Sequence, residues 1–446
     1  MSELQDCKAA QDSAAKRHPG MRADRMSRKH VLICSMYFAP EPTGIAPMAT
    51  DLARDLSENG WDVSVLTAFP MMPGWEVYPE YKRLAYMRER MGNVDVIRTW
   101  AYVPKRPESG VMKTWRRIAF DSSIAFTSLP ATVAMRRPDV IVAIGPPLQV
   151  GIAALAMKAR WKTPVLYWLQ DIVPDAAVNV GMMRPGIALG LARALERFVY
   201  RGVDKIAIIS EGFERNLMPK GVSTGRMTYL PNWANLGSFD AVSESGDTRA
   251  AELAVPPGHF VLMHSGSVGA KQCLENAVRA MKLLENSGDV HLVVVGDGNR
   301  IRAVEAEVKK LNVPRVRFVP TTVGAPFIRL LRAADAHLIN QGRNVVDALI
   351  PSKLMTYLPS GRPVIAAVHP ASEAARFVKR ADCGVVVEPE NPAALADAVT
   401  QLKNDSSLRD RFGAAGARYI RQEYDKPVLM ARFRDELSRL SSEPRA

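Results

Sequence analysis

The stretch Asp347–Val364, DALIPSKLMTYLPSGRPV, reads as the end of a loop, one short helix and the start of a buried strand. Its Pro-Ser-Lys places the Ser352 hydroxyl and the Lys353 ammonium in the first turn of that helix. The aligned peptide dipoles already make a helix N-terminus positive, so a cation there calls for an opposing group or an anionic ligand. The helix gives way at Gly361 to the apolar run PVIAAV, which completes a helix-then-strand unit.

The same unit recurs along the chain. HVLICSMYF, WDVSVLT, DVIVAIG, PVLYWL and VDKIAIIS read as strands in the first half, and VLMHSG, VHLVVVG, VRFVP and AHLIN in the second. Between the first two, PMATDLARDLSENG spaces Met48, Leu52 and Leu56 by four, with Pro47 suited to a first helical turn and Gly60 to a stop. Repeated strand–helix units predict parallel sheets covered on both faces. Two such Rossmann-like doubly wound domains are expected, spanning 29–240 and 259–424. A polar linker over 241–258 separates them, a basic disordered extension over 1–28 precedes them, and an amphipathic C-terminal helix over 425–446 carries Leu429, Phe433, Leu437 and Leu440.

The 446 residues suffice for two sizeable cores. The four cysteines lie far apart without C-x-x-C, which fits a reducing cytoplasm rather than a disulfide framework or zinc site. No D-x-D or H-E-x-x-H offers a metal site, no apolar run approaches the roughly 18 residues of a membrane span, and the N-terminus has no apolar signal core. A net charge of +13 implies an anionic partner. No nucleic-acid-binding motif accompanies it, so phosphorylated ligands or a membrane surface are favoured over nucleic acid.

The chemistry-bearing residues follow strands, where open α/β sheets bind ligands. Facing rims of the two sheets would make an interdomain cleft. In SGSVGAKQ, Gly266 and Gly269 let backbone N–H groups approach a ligand, and Lys271 adds a full charge. A diphosphate cradle and an ordinary βα turn with a solvated lysine fit this loop equally well. VVVGDGNR brings Asp297 in a fragment of a glycine-rich motif, for which a tight turn is the plainer reading. FAPEPTGIAP places Gly44 before the first helix, and YWLQDIVPD ends a strand with Gln170 and Asp171. Asp171 reads as a catalytic or sugar-hydroxyl ligand, or as the cap of the following turn. With Lys271 and Lys353 on one cleft, two ammonium groups and two helix N-termini would converge on a diphosphate.

In their order these segments resemble glycosyltransferase family 4, the retaining, metal-independent transferases of GT-B fold, over about residues 30–420. The supporting residues are YFAPEPTGIAP, GWDVSVLTAFP, LQDIVPD, YLPNWAN, SGSVGAKQ, VVVGDGN, PSKLMTYLPSGRPVIA and CGVVVEPENP. G-x-x-G-x-K-Q and D-x-x-x-P-S-K make the chain similar in particular to the colanic-acid and O-antigen fucosyl- or fucosaminyltransferase subgroup. Two departures stand out. The family's E-x7-E positions are Ala348 and Thr356 here, leaving Asp347 as the carboxylate at hand for sugar or ribose hydroxyls. The family's His-Asp pair reads Gln170-Asp171.

The resemblance implies a UDP- or GDP-sugar donor in the second domain and a glycan acceptor, polyprenyl-diphosphate-linked, in the first. It implies no metal or other cofactor. A non-hydrolysing nucleotide-sugar epimerase and an inactive nucleotide-sugar-binding relative are the alternatives. Residues 105–120 mix Lys105, Arg106, Lys113, Arg116 and Arg117 with Val111, Met112, Trp115, Ile118 and Phe120. Read as a helix from about Gly110, they form an interfacial segment for anionic lipid, which predicts a peripheral protein at the inner face of the cell membrane. The alternative is that Trp115, Ile118 and Phe120 are core.

Overall fold

The computed structural model of the protein describes residues 28–42, 44–104, 114–133, 135–179, 186–242, 253–345 and 351–442. The expected N-terminal extension up to residue 27, most of the expected linker, the basic segment 105–113 and the loop of Asp347 lie outside the described residues.

Strands β1 (His30–Ser35), β2 (Asp62–Ala68), β3 (Tyr86–Met91), β4 (Val94–Thr99), β5 (Val140–Gly145), β6 (Val165–Leu169), β7 (Lys205–Ile208) and β8 (Met227–Tyr229) form an eight-stranded sheet in the order β3-β4-β2-β1-β5-β6-β7-β8. Strands β9 (Phe260–Ser265), β10 (Val290–Val295), β11 (Val316–Val319), β12 (Ala336–Asn340), β13 (Val364–Ala367) and β14 (Gly384–Val387) form a six-stranded sheet, β11-β10-β9-β12-β13-β14. Pairing is parallel throughout the second sheet and among β4, β2, β1, β5 and β6. The exception is the antiparallel hairpin of β3 with β4, turned at Gly92 (φ 61°). β3 carries Arg88, Glu89 and Arg90 at the sheet edge, so it shows no apolar run.

The chain divides into two compact units, Met1–Ala207 with Arg434–Ala446, and Ile208–Phe433. The second unit shows why its strands read as unbroken apolar runs. Val261 and Met263 of β9 enter one core cluster with Val293, Ile339 and Val364. Phe260 and Leu262 enter another, with Leu292, Val294, Leu338 and Ile365. Alternate residues thus fill a core on each face of one sheet. In the first unit β1, β5 and β6 are buried along their whole lengths, and helix Ala46–Glu58 turns Leu52 and Leu56 inward with Pro47 in its first turn. Met48, assigned to the same stripe, is half-buried.

The last helix, Lys426–Ser442, buries Leu429, Phe433, Leu437 and Leu440 as its spacing predicts. Within the second unit Trp233 meets Phe433 edge-on at 6.3 Å. Within the first, Arg434 pairs with Asp55 at 2.5 Å and the Lys29 ammonium donates to Ser441 and Ser442 at 2.9 Å. Residues 253–258, expected as linker, contribute Leu253 and Val255 to the second core.

Strand order reverses between β1 and β5 in the first sheet and between β9 and β12 in the second. The crevice outside the carboxyl ends at such a reversal is where open α/β sheets place ligands. Leu437 is fully buried in the last helix, so Leu437→Ala should cost about 2–5 kcal/mol by cavity formation. Urea unfolding followed by circular dichroism should show the shifted midpoint.

Candidate active site

Lys353 resolves the question posed by its position. It lies in the first turn of helix Ser352–Tyr357, whose N-cap, Pro351, provides no side-chain cap. Its side chain reaches the carboxyl end of β9, where Nζ donates to the Ser265 carbonyl and stands 3.4 Å from His264 Nε2. His264 is fully buried, and its Nδ1 is 3.2 Å from the Leu338 carbonyl. Nδ1 then carries the proton and Nε2 offers its lone pair to Lys353. Burial, then the Lys353 charge, lower the His264 pKa to about 3, so the imidazole is neutral. Burial alone lowers the Lys353 pKa to about 8. Among the described residues no carboxylate pairs with it.

Gly266 makes room for this lysine. Its φ is 106°, and a Cβ there would sit 2.6 Å from Lys353 Nζ. Tyr357 completes the corner: the Ser265 N–H donates to its hydroxyl at 2.8 Å, and that hydroxyl donates to the Ser265 carbonyl at 3.0 Å. The Tyr357 ring stacks on His337 at 4.4 Å. One carbonyl at a strand end therefore collects both Lys353 and Tyr357.

The loop after β9 is fastened to the loop after β10. Gly266 N–H donates to Val295 at 2.8 Å, Val268 N–H to Asp297 at 3.0 Å and Arg300 N–H to Val268 at 3.1 Å, all at carbonyl oxygens. A Cβ at Gly296 would fall 2.2 Å from the Gly266 carbonyl oxygen, and one at Gly298 equally close to that of Val268. The GDG sequence is thus a backbone-to-backbone seam. Asp297 contributes its carbonyl to it, while its exposed carboxylate accepts from Gly298 N–H at 2.6 Å.

Lys271 lies in a single 3-10 turn, Ala270–Gln272, and helix Glu275–Leu283 begins only after Cys273 in the left-handed region (φ 42°). The loop therefore does not open directly into a helix N-terminus. Gln272 Oε1 accepts the Gly269 N–H at 3.0 Å. Asn340, at the end of β12, donates to the carbonyls of Gln272 (2.6 Å) and Cys273 (2.9 Å), and Gly342 N–H donates to the Lys271 carbonyl at 2.8 Å. Both flanks of the β9/β12 reversal thus hold this turn. Lys271 itself is exposed. Ser352 is exposed and Thr356 half-buried, with Thr356 Oγ1 3.4 Å from the Ser352 carbonyl.

In the first unit Gly44 takes φ 65° in the loop before helix Ala46–Glu58, with open space where a Cβ would stand. Gln170 N–H donates to the Gly145 carbonyl at 2.9 Å, which fixes the end of β6 against β5. Asp171 follows, half-buried, within electrostatic reach of Arg117. Arg117 Nε donates to Asp121 Oδ2 at 2.8 Å. Burial opposes the Arg117 charge, and Asp121, Tyr37 and Asp171 more than offset it, so its pKa is raised. Arg117 is therefore not one of the basic residues flanking a lipid-facing stripe; its helix, Thr114–Ala131, turns it toward Asp121. Phe120 is fully buried in the core, whereas Ile118 is half exposed.

His264, Tyr357, Asn340 and Asp121 escaped the sequence reading. Two lie inside apolar runs, where a polar residue signals a buried hydrogen bond, and their partners are distant in the chain.

Gly266→Ala should displace the flexible Lys353 end and carry a backbone strain of about 1–3 kcal/mol, leaving a folded protein with weakened pyrophosphate binding. Gly298→Ala, which meets backbone, should unfold at clearly lower urea. Binding selects the charged lysine, so pyrophosphate affinity should be flat below about pH 7. Above about pH 8 it should fall up to tenfold per pH unit, with proton uptake visible in calorimetry in buffers of different ionisation heat. An affinity independent of pH across that range would remove Lys353 from the anion's contacts.

Residues 43–233 match the family described as glycosyl transferase 4-like domain, and residues 247–419 the family described as glycosyl transferases group 1. WcaI of Escherichia coli (strain K12), named as a colanic acid biosynthesis glycosyl transferase, is 28% identical over 416 residues, covering 91% of this chain and 99% of its own. Among solved structures, sucrose-phosphate synthase from Thermosynechococcus elongatus superposes with a TM-score of 0.68 at 17% identity, covering 93% of this chain and 99% of its own. Anabaena HepE in complex with UDP-glucose gives 0.63 at 14% identity, covering 92% and 99%. The fold is GT-B, and a glycosyl transferase 4-like domain followed by a glycosyl transferases group 1 domain together account for most of the chain, which is thus a glycosyltransferase.

Proposed function

We propose that this glycosyltransferase is a retaining, metal-independent enzyme of surface-polysaccharide assembly. It moves a hexosyl or fucosaminyl group from a UDP- or GDP-sugar to a polyprenyl-diphosphate-linked glycan. The observation that carries the reading is the buried Lys353 ammonium beside Gly266, with no carboxylate among the described residues to neutralise it. Such a group is matched by a diphosphate. The UDP-glucose in HepE and the colanic-acid assignment of WcaI support the donor and pathway class.

In this reading the acceptor hydroxyl oxygen bonds to the anomeric carbon as the bond from that carbon to the diphosphate oxygen breaks. The hydroxyl proton passes to the departing diphosphate on the same face, so configuration is retained without a separate base. Lys353 and Lys271 stabilise the negative charge that grows on the leaving group, and the burial of the Lys353 ammonium makes its contact stronger than one in bulk solvent. Gly266 and Gly269 shape the loop that meets the phosphates, their own N–H groups being bonded to Val295 and Gln272, and Ser352, Thr356, Asp297 and Asp347 line the donor. Gly44, Gln170 and Asp171 serve the acceptor side, Asp171 as ligand of a sugar hydroxyl. The enzyme works in the cytoplasm, peripheral to the inner membrane face where lipid-linked acceptors reside.

Incubation with labelled UDP- and GDP-sugars, with and without a polyprenyl-linked acceptor, tests this directly. Glycolipid formed only with acceptor is expected; an isomerised free sugar without acceptor would mark an epimerase instead. Lys271→Ala and Lys353→Ala should each lower turnover about 10²-fold or more with folding retained. Activity should persist in excess EDTA, and its loss on chelation with recovery in magnesium or manganese would overturn the metal-independent mechanism.

A further inference from the structure

Three helices of the first unit, Thr114–Ala131, Gln149–Trp161 and Ile187–Gly202, connect β4 to β5, β5 to β6 and β6 to β7. All three connections advance in one direction along the sheet, so right-handed crossovers put them on one face of it. The first packs on the second and the second on the third. Helix Ala46–Glu58 connects β1 to β2 in the opposite direction and lies on the other face.

Helix Ile187–Gly202 is apolar on two opposite sides. At about 100° per residue, Leu189, Glu196, Val199 and Tyr200 share the side that is buried. Ile187, Leu191 and Phe198 fall on the reverse side, and Leu191 and Phe198 are 67% and 59% exposed. Arg197 and Arg201, both exposed, lie to one side of that stripe, whereas Arg193 falls toward the buried side with its guanidinium 3.8 Å from Asp175. The first helix repeats the arrangement with Ile118 and Phe126, the latter 75% exposed.

Charge on this layer has one sign outward. The three helices hold two acidic residues, Asp121 and Glu196, and both are buried. Arg160 on the middle helix is exposed with its guanidinium over Trp161 at 5.4 Å. A soluble surface that mixes both charges does not look like this. An outward apolar stripe edged by arginines, without one exposed carboxylate on its helices, fits an interface between negative headgroups and acyl chains.

We infer that the outer face of this three-helix layer is the surface that docks the protein on an anionic membrane, with Leu191 and Phe198 inserting and Arg197 and Arg201 meeting headgroups. The inference rests on the lipid-linked acceptor proposed above. It moves the principal contact away from residues 105–120 to a helix far along the chain.

The test is sedimentation of the full-length protein with vesicles containing phosphatidylglycerol and with vesicles of phosphatidylcholine alone. Wild type should bind the anionic vesicles at low salt. Leu191→Glu with Phe198→Glu should abolish binding, and Arg197→Gln with Arg201→Gln should weaken it roughly thirtyfold. Trp115→Glu with Arg116→Glu should have the smaller effect. All variants should keep wild-type circular dichroism and UDP or GDP affinity. Failure of wild type to bind anionic vesicles would overturn the inference, as would unchanged binding by the Leu191/Phe198 variant. So would a dimer that this variant dissociates without loss of vesicle binding, which would assign the face to a second copy. Failure of the function proposed above would appear separately, as absent nucleotide binding in wild type whatever the vesicles show.

Discussion

A lysine buried against a glycine at the end of a parallel strand constrains everything around it. Burial alone draws the Lys353 pKa down to about 8, so its charge is costly in the empty site and cheap once an anion is present. The protein supplies partial compensation through the Ser265 carbonyl and a neutral His264, and neither is an anion. The remaining demand for negative charge is the property on which the proposed diphosphate binding rests. Gly266 follows from the same constraint, since a side chain there would occupy the volume of the ammonium.

The rigidity of that corner comes from backbone rather than from side-chain ion pairs. Gly296 and Gly298 bring one loop into contact with another at distances no Cβ permits, and Asn340 and Gly342 hold the Lys271 turn from the opposite flank of the strand reversal. The polar atoms that would otherwise be orphaned at the end of a buried sheet are thereby satisfied. A corner held this way fixes Lys353 and the Lys271 turn in place, which would reduce reorganisation in the proposed transfer.

The first unit has a different character. Its sheet end gathers Asp171, Arg117, Asp121 and Tyr37, a mixed-charge group suited to hydroxyls rather than to phosphates. Its helical layer, by contrast, turns apolar and basic groups outward together. These two features place the proposed hydroxyl-binding rim and the proposed lipid-facing surface on the same half of the chain.

Much of this was legible in the sequence because both sheets are covered on two faces. Fully buried parallel strands must be unbroken apolar runs, so ten of the fourteen strands, their order along the chain and the loops at their carboxyl ends could be read directly. β3 escaped because an edge strand keeps its charges in water, and β4, broken by Asp95 and Arg98, escaped with the short, half-buried β8 and β14. Which side chains meet was decided only in three dimensions. His264 and Tyr357 are separated along the chain by many residues and read locally as core, and their polar roles exist only because β9 lies beside the helix that follows β12. Arg117 looked like surface charge until its helix turned it toward Asp121. The exposure of Leu191 and Phe198 was hidden for the same reason: a helix apolar on two sides has a sequence like any core helix, and only packing against the sheet determines which side is left facing out.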